Sequence, residues 1–160
     1  MVIDEEQFKK AILDSGLITR SELEAEAKKA ETKNQKLGNI LLSDGKISET
    51  DLKRMEAFVL EIPFVSLVKE KIDFSILSLI PEPIARNHNI IAYKKSKTGL
   101  EVAMLDVDDL PMIDFIKKKA GERILPRLTD SDSIKSALVQ YRKSLQADFD
   151  NIIQKESLSI

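Results

Sequence analysis

One unit occurs twice in this chain, and the repetition limits what the chain can fold into. In the second copy, Lys36-Leu37-Gly38-Asn39-Ile40-Leu41-Leu42-Ser43 reads as a short apolar helix and Gly45 as its stop. Ser48 and Asp51 then give the capping signature of a second helix, just ahead of Leu52. The first copy lies about 29 residues upstream, a spacing within the range of internal repeats. Asp14-Ser15-Gly16-Leu17-Ile18-Thr19-Arg20-Ser21-Glu22-Leu23 aligns on Ser43 to Leu52 without a gap, Phe8 falls on Leu37, and Ile12 and Leu13 fall on Leu41 and Leu42. Glycine accepts the positive φ that each helix stop needs. Helices this short are marginal alone, so the two helices of each unit are expected to pack on each other. Two such hairpins make a four-helix bundle and are too few for a solenoid. The alternative is that helix-turn-helix pairs look alike by chance.

The chain of 160 residues suggests one or two small domains. It is 42% hydrophobic and 32% charged, the profile of a globular protein. The absence of cysteine excludes disulfides and thiolate metal sites. Met1-Val2-Ile3 runs straight into Asp4-Glu5-Glu6, which does not read as a signal peptide, and no apolar run approaches spanning length. A cytoplasmic location in a bacterium is expected, with any place at the inner membrane's inner face reached through a partner. Net charge is −2 with the signs mixed, which argues against nucleic-acid binding. The one basic run, Lys117-Lys118-Lys119, falls at a predicted helix end, where lysines complement the helix dipole; the alternative is a phosphate-binding patch.

Taken in order, the pattern predicts helices over about Glu5–Asp14, Thr19–Lys33, Gln35–Ser43 and Ser48–Leu60. At Ile62-Pro63 the helical period stops, and Phe64-Val65-Ser66-Leu67 alternates as a strand. A short helix at Asp73–Leu79 and a turn from Pro81 to Arg86 follow. Ile90–Lys95 and Leu100–Met104 flank Ser96-Lys97-Thr98-Gly99 as a hairpin. Then come a helix at Leu110–Ala120, a strand at Arg123–Leu128 that Pro126 confines to an edge or bulge, and a helix capped by Asp130. The expectation is an α+β fold. A helical subdomain of two helix-turn-helix repeats spans residues 1–62, and a small α/β sandwich with a mostly antiparallel sheet spans 63–144. A loosely attached helix or frayed tail is expected over 145–160.

The order of these motifs resembles the MshEN-like N-terminal domain of type II secretion and type IV pilus assembly ATPases. That family repeats R-L-G-x-x-L-(V/I)-x-x-G followed by a hydroxyl-capped helix. Lys36-Leu37-Gly38, Leu41-Leu42, Gly45 and Leu52 fit it. Ile62-Pro63-Phe64-Val65-Ser66-Leu67, Leu79-Ile80-Pro81 with Ala85-Arg86, and Leu100-Glu101-Val102-Ala103-Met104-Leu105-Asp106 are similar to the family's later segments. The resemblance covers about Phe8 to Tyr141. It implies a non-catalytic regulatory and docking module that binds a protein of a secretion or pilus machine, such as an ATPase motor or an inner-membrane platform protein. It also implies an alternative, since a subset of the family binds cyclic di-GMP on the repeated unit. The matching positions are Lys36, Leu37, Gly38, Leu41, Gly45 and Leu52. Lys36 replaces the family's arginine, Gln7-Phe8-Lys9 replaces R-L-G in the first copy, and the family's glutamine positions hold Ala30 and Val59. Arginine grips guanine bidentately and lysine does not, so weak or absent binding of the nucleotide is expected.

No enzyme, cofactor or metal centre is expected. Gly45-Lys46 is not a phosphate loop, because position 40 is isoleucine and Ile47 follows the lysine. His88 is the only histidine and has no nucleophile patterned beside it. Asp106, Asp108 and Asp109 lack the EF-hand spacing and read as turn and cap residues, as do Asp130 and Asp132.

Overall fold

The four N-terminal helices begin where an oxygen-bearing side chain can satisfy their free N–H groups, with one exception. In the computed structural model, which describes residues 3–158, Asp4 accepts from the Glu6 and Gln7 amides and opens α1 (Glu5–Ser15). Thr19 accepts from the Glu22 amide and opens α2 (Arg20–Thr32). Ser48 accepts from the Asp51 amide and opens α4 (Glu49–Leu60). α3 (Leu37–Ser43) starts at Lys36 with no side-chain cap, a turn later than the matching point of α1. Gly16 and Gly45 sit at φ +75° and +69°, the left-handed geometry that costs a Cβ-bearing residue energy.

Equivalent positions of the two copies have equivalent surroundings. Phe8 and Leu37, Ile12 and Leu41, Ile18 and Ile47, and Leu23 and Leu52 are all buried in one cluster. The helices do not pair as expected within each unit. α1 packs chiefly on α4 and α2 on α3, so the hairpins interlock. The reason is geometric: the apolar stripe that one hairpin turns into this cluster is completed by the stripe of the other. Gly38 allows the closeness, since a Cβ there would stand 3.1 Å from Leu52 Cδ1 and 3.6 Å from Phe8 Cζ.

Beyond α4 the chain makes no strand at residues 64–67. Phe64 forms one parallel bridge to Leu128, with the Leu128 amide donating to Pro63 O and the Val65 amide to Leu128 O, before the chain turns through Lys69 at φ +90°. α5 (Phe74–Leu77) and α6 (Glu82–His88) follow, and Asn89 ends α6 in the left-handed region. β1 (Ile90–Ser96) and β2 (Gly99–Met104) form the hairpin. α7 (Leu110–Ala120) then carries the chain back, so β3 (Ile124–Leu128) lies parallel to β2. The sheet, ordered β1-β2-β3, is thus mixed where a mostly antiparallel one is expected. A helical crossover returns the chain to the end where the previous strand began and enforces the parallel pairing. Pro126 lies in the outer strand. Leu128, two residues on, donates outward to Pro63, so by alternation proline's missing N–H also faces away from β2.

The second core includes Leu77, Ile80, Ile90, Ile91, Val102, Ile116 and Tyr141, with α5, α6 and α8 against β1 and α4 and α7 against β3. α8 (Ser131–Leu158) runs as one helix through the residues beyond 144, with Phe149, Ile152 and Ile153 exposed. Tyr141 ties it to the chain before α6, its hydroxyl lying 2.8 Å from Leu77 O and 2.6 Å from Ile80 O.

α8 and α4 share their capping. Asp130 Oδ1 accepts from the Ser133 amide at 2.9 Å, and its Oδ2 accepts from Thr50 Oγ1 at 2.7 Å. The Glu49 carboxylate accepts from the Ser131 amide. Burial opposes ionisation of Asp130, but the hydrogen bonds from Ser133 and Thr50 outweigh it and hold the carboxyl below the ordinary aspartate range.

Three predictions follow from this packing. We propose subdomain limits of 1–62, 63–144 and 145–160; limited proteolysis with mass spectrometry should cut first near Ile62 or beyond Leu145, and first cuts within 100–105 would move the boundary. Leu37→Ala, Leu41→Ala and Leu52→Ala should each cost about 2–5 kcal/mol in urea unfolding, the range for leucine removed from a core. Asp130→Ala should cost about 1–2 kcal/mol at neutral pH through the lost cap and the lost Thr50 contact. Because the folded carboxyl is lowered, that stability is complete above the unfolded pKa and disappears as pH falls through the folded one. The gap between wild type and variant should therefore narrow below about pH 4.

Candidate functional site

The first half of α3 and the loop after β2 face each other across a cleft of about 930 Å³. That size is at the upper end of ordinary ligand pockets. α3 contributes Gly38 and Asn39, with Lys36 just ahead of it; α1 contributes Phe8, α4 contributes Lys53 and Glu56, and the β2–α7 loop contributes Asp106 and Asp108.

The structure brings together only part of the set that the sequence singles out. Lys36 and Gly38 line the cleft. Leu37, Leu41 and Leu52 are 1%, 0% and 3% exposed, and their side chains form the interlocked core instead of a surface. Gly45 follows the far end of α3 and is not on the cleft. Phe8, the first copy's counterpart of Leu37, is buried with an edge toward the cleft.

Charge in the cleft runs against an anionic guest. Lys36 and Lys53 are outnumbered by the carboxylates of Glu5, Glu56, Asp106 and Asp108. Lys53 is also engaged, donating to Leu105 O at 3.0 Å and pairing with Glu56 Oε2 at 3.5 Å. Lys36 makes no ion pair among the described residues. The acidic loop is itself locally organised: Asp106 Oδ1 accepts from the Asp108 amide at 2.8 Å, and Asp109 Oδ1 accepts from the Met112 amide as the cap of α7. His88 stands 3.8 Å from Asp109 Oδ2, half-exposed. Among the described residues no three metal-ligating side chains gather, and no helix is long and apolar enough to cross a membrane.

Sequence reasoning missed Lys53, Glu56, Asp106 and Asp108 as cleft residues, because the two groups are about fifty positions apart and carry no shared motif. It also missed Glu26, a buried carboxyl on α2 whose Oε2 has no partner among the described residues. Burial raises its pKa, and the neighbouring Asp44 adds to the rise. Asp44 is held low by Lys29 Nζ at 2.7 Å, so one helix pair carries a reluctant acid beside a firm ion pair.

Comparisons with known proteins agree with this architecture. The MshEN domain matches residues 60–148, more than half of the chain. The chain is 21% identical over 142 residues to the type IV pilus assembly ATPase PilB of Myxococcus xanthus, which covers 89% of this chain and 25% of that protein. It therefore spans about a quarter of the length of that curated relative. Among solved structures, MshE with cdg superposes with a TM-score of 0.66 at 22% identity, covering 84% of this chain and 97% of that one. The N-terminal domain of XpsE superposes with a TM-score of 0.56 at 16% identity, covering 85% and 94%. The α+β fold of a helical part ahead of a small mixed sheet is the fold of those domains, and the chain belongs to the MshEN domain family.

Proposed function

We propose that this chain is a non-catalytic regulatory and docking module of a secretion or pilus assembly ATPase, binding a protein partner of that machine. The observation that carries the reading is the cleft beside the repeat. Its leucines are spent on the core, and its open surface bears more carboxylates than cations. A dianionic nucleotide entering it would meet the carboxylates of Glu5 and Asp106, with Lys36 the one cation among the described lining residues that makes no ion pair there. A protein partner needs no such charge, and α8 leaves it an apolar surface in Phe149, Ile152 and Ile153. The motor ATPase and the inner-membrane platform protein are the candidate partners, and the module would work at the inner face of the membrane through them.

The second reading, a cyclic di-GMP sensor, is favoured by the likeness to MshE with cdg and by Lys36 and Gly38 sharing one cleft. Losing a bidentate arginine contact costs about 1–3 kcal/mol, roughly ten- to a hundredfold in affinity. With both copies lacking it and both glutamines replaced, a micromolar site moves to about millimolar or weaker. Isothermal titration decides between them. Cyclic di-GMP at near-physiological salt should give no low-micromolar isotherm, whereas the motor domain or the platform protein's cytoplasmic domain should give one that Ile152→Asp abolishes. Low-micromolar nucleotide binding lost in Lys36→Ala would put the sensor reading first.

A further inference from the structure

The end of the sheet opposite the acidic loop gathers positive charge from three separate stretches. The β1–β2 hairpin brings Lys94, Lys95 and Lys97 there. The last turn of α7 brings Lys117, Lys118 and Lys119, and the start of β3 brings Arg123. The topology requires the meeting. β3 lies parallel to β2 with Leu100 opposite Ile124, so the end of α7 arrives beside the hairpin turn. The Leu100 amide donates to Arg123 O at 2.7 Å, and Lys95 pairs with Glu122 at 2.9 Å across the same junction.

Little there neutralises the charge. Glu122 is taken by Lys95, and Glu101 lies within 3.8 Å of Lys94 and 3.4 Å of Arg127. Lys97, Lys117, Lys118, Lys119 and Arg123 are exposed and make no ion pair among the described residues. Asp114 is the one acid on α7. One apolar side chain stands among these cations: Phe115 is 46% exposed, and Lys119 Nζ lies 6.0 Å from the centre of its ring. None of these five cations lines the cleft.

We propose that this end, formed by the hairpin tip and the C-terminal half of α7, is a docking surface for an anionic lipid bilayer. The charge is nearly all lysine, a flexible point charge that suits diffuse attraction to headgroups and lacks the fixed fork that protein hot spots take from arginine. Each lysine near an anionic bilayer strengthens binding several-fold, and an exposed aromatic beside the cluster seats at the headgroup level. The helix dipole explains lysines in the last turn of α7; it does not explain the hairpin lysines or the exposed Phe115. The surface shares no residue with the cleft or with the exposed apolar residues of α8.

Co-sedimentation of the chain with vesicles tests the proposal. The protein should pellet with phosphatidylcholine vesicles carrying about a third phosphatidylglycerol, not with phosphatidylcholine alone, and the binding should fade as salt rises. Lys117→Gln/Lys118→Gln/Lys119→Gln should weaken the partition by about a hundredfold, about fivefold for each lysine. Phe115→Ser should weaken it about tenfold with the salt dependence unchanged. Unaltered thermal unfolding of these surface variants would show that the loss is local. Failure of the wild type to pellet with anionic vesicles overturns the proposal. So does full binding by the triple variant, or capture of polyglutamate in place of the vesicles.

Discussion

Helix α4 holds two cores at once, and the rest of the structure depends on that. Leu52, Met55 and Val59, spaced three and four apart, face the interlocked helical cluster. Lys53, Ala57 and Leu60 lie on a second face, with Ala57 and Leu60 in the sheet core and Lys53 bonded to Leu105 O. Arg54 stacks on Phe64, 4.5 Å from the ring centre, where the chain leaves the helix. At its first turn Glu49 and Thr50 complete the cap of α8. A rotation of α4 would break both cores and the cap of another helix together, so the two halves hold a set orientation.

The same constraint decides what the repeat can do. Because α1 pairs with α4 and α2 with α3, neither copy can bury its apolar stripe without the other. The leucines of the repeated motif are consumed in that exchange. The surface left at the start of α3 is polar and, counted over the described residues that line the cleft, carries more carboxylates than cations. A motif that reads as a ligand surface in one dimension is here mostly an internal seam.

Much of the fold was legible in one dimension. Capping residues Asp4, Thr19, Ser48 and Asp130, glycine stops at Gly16, Gly45 and Gly121, and the hairpin around Lys97-Thr98 are local devices whose signals lie within a few residues of the elements they end. The sequence also carried the order of motifs that relates this chain to the MshEN domain, because that order survives where identity has fallen to 21%.

Tertiary structure alone decided three matters. It set the pairing of helices across the repeats, which depends on which stripes complete one another. It reduced residues 64–67 to a single bridge, because Pro63 and the turn at Lys69 leave room for one contact with β3. And it placed charge: Lys36 opposite Asp106 and Asp108, and Lys97 beside Lys117–Lys119 and Arg123. Charges attract or repel by distance through space, and residues far apart in sequence carry no local mark of that distance. Composition alone gives a net charge of −2; the fold separates it into an acidic cleft and a basic end.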